Sequence, residues 1–285
     1  MSDRPASLPL RALRILRLAG HVVRGLWIVR SRYARLGPAA QDRVLEGWSR
    51  QLLAILSVEV RCRNAPGAFP ERCLLVTNHI SWLDIFAVFA VAPSLFVAKS
   101  DIRDWPVIGT LVARVGTLFI ERGNRRHARA MNERIVDALE SGRLVAVCPE
   151  GTTTDGRSLR HFHAALLQPA LDARAMVLPI ALRYLGHDGS ASTAAAYVGD
   201  DSLVGSVWRI ASQRSMAVEL RFVPCFDPAG MHRRELTRLT HDLIARELDL
   251  PAVHRPSETP VDPPAGPPSA VRPTRSPYPA PADPA

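Results

Sequence analysis

The sequence predicts an α/β fold: a central, mostly parallel sheet flanked by helices, with an N-terminal amphipathic helical membrane anchor. Three observations carry this. Short apolar runs alternate with amphipathic stretches from residue 58 to residue 225, as strand and helix do in a parallel sheet. Polar clusters follow several of those runs, where strands end. The first 36 residues hold eight arginines against one acid, Asp3.

The elements follow in order. "LAGHVVRGLWIV" is broken by His21 and Arg24, and falls short of the roughly 20 apolar residues that span a bilayer. On a helical wheel Arg14, Arg17, His21, Arg24, Arg32 and Arg35 share one side. Ile15, Leu16, Ala19, Val22, Val23, Leu26 and Trp27 share the other, with Arg30 as an exception. This is the pattern of an interfacial membrane helix, or else of a surface helix packed on the protein's own core. A helix is expected near 40–55, then strands at "VEVRCR" and "CLLVT". "SWLDIFAVFAVA" predicts a helix, "LFVAK" a strand, Pro106 to Arg114 a helix and "TLFIE" a strand. "RRHARAMNERIVDALESG" is a helix stopped by Gly142. "LVAVC", "AMVLPIALRY" and "MAVELRFVPC" complete the strands, with helices at "HFHAALLQPALDA" and "RRELTRLTHDLIARELD". From Pro251 the chain holds half of its 24 prolines and almost no large apolar residues, so a disordered tail is expected. The organisation is thus a basic helix over 1–36, one domain over 37–250 and a tail over 251–285.

Composition bounds the partners. A net charge of +9 and a pI of about 10.3 favour anionic ones: nucleic acid, an anionic membrane surface or a phosphorylated substrate. Most of that charge lies in the first 36 residues, so no basic stripe crosses the domain. No helix-turn-helix, zinc-finger or aromatic RNA-binding signature is visible, and no nucleic-acid partner is expected. The four cysteines are scattered without C-x-x-C or Cys/His clustering, which argues against a zinc site or a disulfide framework.

The chemistry is sought at the strand ends, where α/β sheets collect ligands. His79 and Asp84 lie five positions apart in "NHISWLD". In a continuous helix a five-residue step leaves them about 140° apart, so they meet only if His79 precedes the helix and Asp84 sits in its first turns. Ser81-x-x-Asp84 also matches a capping pattern. Either the two are polar punctuation, or Asp84 orients His79 as a general base. "CPEGTTTDG" is a polar turn whose backbone N–H groups and hydroxyls suit phosphate, or an ordinary loop. Arg122, just past "TLFIE", has the forked geometry to pair with phosphate, or is one more solvated arginine. A serine hydrolase built on Ser81 and His79 is disfavoured, since they are two residues apart and lack an elbow motif.

Taken together the blocks resemble the glycerolphosphate acyltransferase superfamily, most closely its bacterial lysophosphatidic acid acyltransferase branch. "NHISWLD" matches its His-x4-Asp motif, "GTLFIERGN" the second block, "CPEGTTTDG" the third and "VLPIAL" the fourth. "AKSDIRDWPVIG" is similar to the lysine-containing segment between the first two. The resemblance implies that His79 deprotonates a lysolipid hydroxyl and that Asp84 orients it. The oxygen then attacks the thioester of acyl-CoA or acyl carrier protein directly, with no other cofactor and no metal. It also implies that Arg122, Glu150 and Gly151 help bind glycerol phosphate, with Thr152 beside them, Lys99 as the matching lysine and Pro179 in the acyl-chain block. The implied partners are a lysolipid acceptor, the acyl donor and an anionic membrane surface, at the cytoplasmic face of the inner membrane. Two departures stand out. Cys148 replaces a usual aromatic residue, and Thr153 stands where many lysophosphatidic acid enzymes have arginine, a variant also similar to enzymes acylating lyso-ornithine lipid.

Overall fold

A computed structural model describes residues 5–105, 107–120 and 125–251. Arg122 and the tail beyond Pro251 lie outside the described residues, as does Pro106. Among the described residues the seven strands are β1 (Val58–Arg63), β2 (Cys73–Thr77), β3 (Leu95–Lys99), β4 (Leu118–Ile120), β5 (Val145–Val147), β6 (Met176–Leu185) and β7 (Met216–Phe222). They form one sheet in the order β1-β7-β6-β2-β5-β3-β4. Every pair is parallel except β6 with β7.

The helices are α1 (Leu8–Ser31), α2 (Pro38–Ile55), α3 (Leu83–Phe89), α4 (Ile108–Arg114), α5 (Arg125–Glu140), α6 (Gln168–Asp172), α7 (Leu203–Ala211) and α8 (Arg233–Glu247). They cover both faces of the sheet, and the strand sequences show why. In β2, Cys73 and Leu75 face the core shared with α2 and α3, while Leu74 and Val76 face the core shared with α5 and α8. A strand covered on both sides is apolar throughout, which is why "CLLVT" reads as a continuous run. On α5, Met131, Ile135 and Leu139 recur at four-residue spacing to fill the second core.

The sheet is mostly parallel, as expected, with one antiparallel pair where β7 returns beside β6 in the opposite sense. Two expectations are corrected. The expected helix at "HFHAALLQPALDA" is broken into a short 3-10 turn (Ala164–Leu166) and α6, where Pro169 can occupy the first helical turn but cannot continue an earlier helix. α7 was not foreseen, being short and flanked by Gly, Ser and Asp-rich turns within the 186–215 connection.

The arginine side of α1 is the second. It does not face solvent as a unit. Arg14 is buried, donating to the carbonyls of Ala211, Gln213 and Arg214 and to the Ser57 hydroxyl. His21 is buried too, stacked on Trp48 with Nε2 3.0 Å from the Trp48 carbonyl. Burial lowers the pKa of both groups. Meanwhile Leu16, Val23 and Trp27 are exposed. No described helix is long and apolar enough to cross a membrane.

Candidate active site

The site grows from the carboxyl end of β2, the strand between β6 and β5. Thr77 closes the strand, and Asn78 extends its pairing with a side chain. The Asn78 amide donates to the Leu182 carbonyl at 2.9 Å and accepts from the Leu182 N–H at 2.8 Å. This turns the backbone out of the sheet at His79 without orphaning a peptide group on β6.

His79 precedes the helix and Asp84 sits in the first turn of α3, as the spacing demanded. His79 Nδ1 lies 2.9 Å from Asp84 Oδ2. The same oxygen accepts the N–H groups of Ile80 at 2.7 Å and Ser81 at 2.9 Å. The Tyr184 hydroxyl, from β6, donates to Asp84 Oδ1 at 2.7 Å. Asp84 is fully buried, and its carboxylate is held by four donors including the ring. Capping and orientation are therefore one structure: the turn that Asp84 closes is the turn that presents His79. Ser81 contributes a weaker link, its hydroxyl accepting the Leu83 N–H at 3.3 Å. Burial and the Asp84 charge push the Tyr184 phenol well above its usual range, so it remains a donor.

The "PEGTTTDG" loop follows β5, which pairs in parallel register with β2, so Cys148 and Glu150 arrive beside His79. Glu150 is buried, with Oε2 accepting the His79 N–H at 2.6 Å and Oε1 accepting the Arg160 N–H at 2.9 Å. Burial pushes its pKa up to about 7 against the pull of these donors. The Thr154 N–H donates to the His79 carbonyl at 2.8 Å. The peptide unit on each side of His79 is thus fixed by the β5 loop. Gly151 has φ +65°, a left-handed conformation that glycine adopts without strain. Gly156 has φ +81°, which favours glycine, and a Cβ there would sit 2.9 Å from Ile80 Cδ1 and displace the tip of that side chain.

The buried Cys148 thiol lies close enough to the His79 ring for each to bear on the other's pKa. Burial keeps the thiol well up in its protonated range, although His79 works against that. For His79 itself burial opposes the charged ring, yet the hydrogen bond to the Asp84 carboxylate and its charge hold the pKa above the usual value. With Nδ1 committed to Asp84, Nε2 is left for proton transfer.

The structure thus brings His79, Asp84 and Glu150 into direct contact, with Gly151 and Thr152 on the same loop. Lys99 closes β3, separated from β2 by β5 alone, so it ends on the same edge of the sheet. The Glu150 carboxylate is engaged with backbone, so its observed part is to hold the His79 loop. Sequence reasoning missed Tyr184 and Asn78. Tyr184 is the last aromatic of a buried run a hundred residues away, and only the β2–β6 register brings it to Asp84.

A model of the family described as Acyltransferase matches residues 59–183, which span both loops. A 1-acyl-sn-glycerol-3-phosphate acyltransferase of Neisseria meningitidis is 36% identical over 239 residues, covering 82% of this chain and 91% of that protein. The chain belongs to the acyltransferase family. A lyso-ornithine lipid O-acyltransferase of Pseudomonas aeruginosa is 37% identical to this acyltransferase over 244 residues, covering 83% of the chain and 92% of that protein. The crystal structure of the 1-acyl-sn-glycerophosphate acyltransferase PlsC from Thermotoga maritima matches its fold with a TM-score of 0.60 at 18% identity, over 83% of this chain and 96% of that one.

Proposed function

We propose that this acyltransferase moves a fatty acyl chain from acyl-CoA or acyl carrier protein to the free sn-2 hydroxyl of 1-acyl-sn-glycerol-3-phosphate, giving phosphatidic acid. The observation that carries the reading is the buried Asp84 carboxylate held 2.9 Å from His79 Nδ1. That contact keeps a proton on Nδ1 and leaves Nε2 as the base. Nε2 takes the hydroxyl proton as the acceptor oxygen attacks the thioester carbonyl carbon. The C–S bond breaks as the tetrahedral intermediate collapses, and the thiolate leaves with the proton from His79. Asp84 stabilises the imidazolium in between, and no acyl-enzyme is needed. Lys99, Arg122, Gly151 and Thr152 are assigned to the acceptor phosphate, with Glu150 shaping their loop. The enzyme works against an anionic membrane surface, at the cytoplasmic face of the inner membrane.

Purified protein given an acyl thioester and lysophosphatidic acid is expected to form phosphatidic acid. His79→Ala is expected to lose this by at least about a hundredfold, the lower end of general-base contributions, with an unchanged unfolding curve. Near-wild-type turnover by that variant would remove His79 from the role.

A second acceptor is favoured by one observation. Thr153 stands where many lysophosphatidic acid enzymes carry arginine, and its hydroxyl donates to the Tyr197 carbonyl. The position thus supplies a tie within the protein, and no cation for a phosphomonoester. Lyso-ornithine lipid is the alternative acceptor, and an acceptor panel run with both donors separates the two. Product from lyso-ornithine lipid alone replaces the first reading.

A further inference from the structure

The connection between β6 and β7 is tied to the catalytic motifs at its inner side. The Tyr197 N–H donates to the Ile80 carbonyl at 2.9 Å, and the Tyr197 carbonyl accepts the Thr153 hydroxyl. The Trp82 indole, two residues before Asp84, donates to the buried Ser206 hydroxyl of α7 at 3.1 Å. Arg209 then braces the segment from within, binding the carbonyls of Ala194 and Ala196 and the Asp201 carboxylate.

The outer side of this segment is apolar and bare. Val204 is 80% exposed and Trp208 47% exposed, one turn apart on α7. α1 packs against α7, with the Arg11 guanidinium 5.7 Å from the centroid of the Trp208 ring and the Ala6 N–H bonded to the Ser212 carbonyl. α1 carries a bare apolar strip of its own, with Leu16 at 72%, Val23 at 65% and Trp27 at 60% exposure. Exposed Arg17, Arg24 and Arg30 border that strip, and α1 contains no acid. Val198 lies next to exposed Asp200 and marks the limit of the face.

We propose that α7 is a second bilayer-contacting element, which seats Val204 and Trp208 in the headgroup–acyl boundary of an anionic phospholipid bilayer beside α1. The occupant follows from the chemistry of the surface. Scattered leucines are ordinary, but two tryptophans and a valine–leucine strip bordered by unopposed arginines match a negatively charged lipid interface. The proposal deepens the lysolipid reading and rests on it for its purpose. A segment that grips Ile80, Trp82 and Thr153 on one side and lipid on the other holds the His79 loop at the surface from which a lysolipid arrives.

The test uses the full chain and phosphatidylcholine vesicles with and without phosphatidylglycerol. Wild-type protein is expected to float with the anionic vesicles, and Val204→Glu to lower the bound fraction on the order of tenfold. Brominated phospholipid is expected to quench more of the wild-type tryptophan emission than of the Trp208→Phe emission, because Trp208 contributes a quenched ring. Equal quenching of the two overturns the proposal. Turnover of a short-chain, monomeric lysolipid is expected to stay at the wild-type level in Val204→Glu, and its loss also overturns the proposal by placing Val204 in the fold or the chemistry. If wild-type protein acylates no lysolipid, the functional reading fails while the quenching still decides the docking.

Discussion

At the scale of single residues, the site turns on how many donors converge on Asp84. Asp84→Asn keeps the shape but replaces a carboxylate that accepts four donors with a neutral amide that has a single accepting oxygen. A residue that only capped α3 would cost about 1 kcal/mol of stability on replacement. Here acyl transfer is expected to fall by orders of magnitude as the His79 tautomer is lost, measurable in the same assay as product formed per minute. Tyr184→Phe removes one donor and leaves Oδ1 buried without it, a loss of about 1–2 kcal/mol by denaturant titration. The pH profile follows from His79. Its pKa is raised and the reaction needs the neutral ring, so kcat/KM is expected to climb as pH rises through a midpoint above 6.5. The residual activity of Asp84→Asn should show that midpoint at lower pH, because a cause of the shift is gone. Spacing made legible only how His79 and Asp84 could meet, through a turn-then-helix arrangement; that they do meet was implied by the resemblance of the motif. The third and fourth partners of Asp84 were not legible, because a backbone N–H has no signature in sequence and Tyr184 reaches the site through strand register.

At the scale of elements, register also explains what else was hidden. Most strand runs were legible to within a residue, from two-sided burial or, in β1, from alternation, although "MAVELRFVPC" overran the end of β7 at Phe222. The sense of β7 was not, since an antiparallel strand buried on both faces has the same apolar run as a parallel one. Its consequence is a charge cluster that no local motif announces. Glu219 of β7, 2% exposed, binds Arg63 of β1 at 2.6 Å, Arg183 of β6 at 2.7 Å and Arg221 at 2.9 Å, tying three strands together. Although burial works against the charged form, hydrogen bonds and charge from Arg221 and Arg183 lower its pKa. Its stabilisation is therefore present above the unfolded carboxylate range and lost as pH falls through the folded value. Glu219→Gln is expected to cost about 2 kcal/mol near neutral pH and to lessen acid sensitivity, read from urea midpoints across pH. α1 shows a complementary lesson. A helical wheel sorts residues by polarity, but Arg14 is buried because three carbonyls at the C-terminal end of α7 and beyond need a donor.

At the scale of the whole molecule, Glu150 sets a pH dependence of the opposite sign. Its carboxyl is pushed to about 7 from an ordinary value near 4.5. Between those values the unfolded chain releases a proton that the folded chain retains, so stability declines as pH rises through that window and is level above it. Glu150→Gln is expected to flatten that decline in thermal unfolding, while weakening the hold on the His79 loop. The α/β class and most of the element order were legible, as was the gathering of polar residues at strand ends, because alternation and two-sided burial are properties of the chain itself. α7 was not legible, since a nine-residue helix whose outer face is apolar looks in sequence like an ordinary loop with a few hydrophobics.

Antiparallel neighbours such as β6 and β7 can be joined by a hairpin of two residues. This chain instead leaves the sheet over 186–215 and returns to the adjacent position. Insertions or deletions in the turns of that excursion leave the order of strands untouched, and neither His79 nor Asp84 belongs to it. The turns of this connection can therefore drift while His79 and Asp84 keep their places. Relatives that share the His79 loop but differ in lysolipid would then be expected to vary most in the length and composition of this one connection.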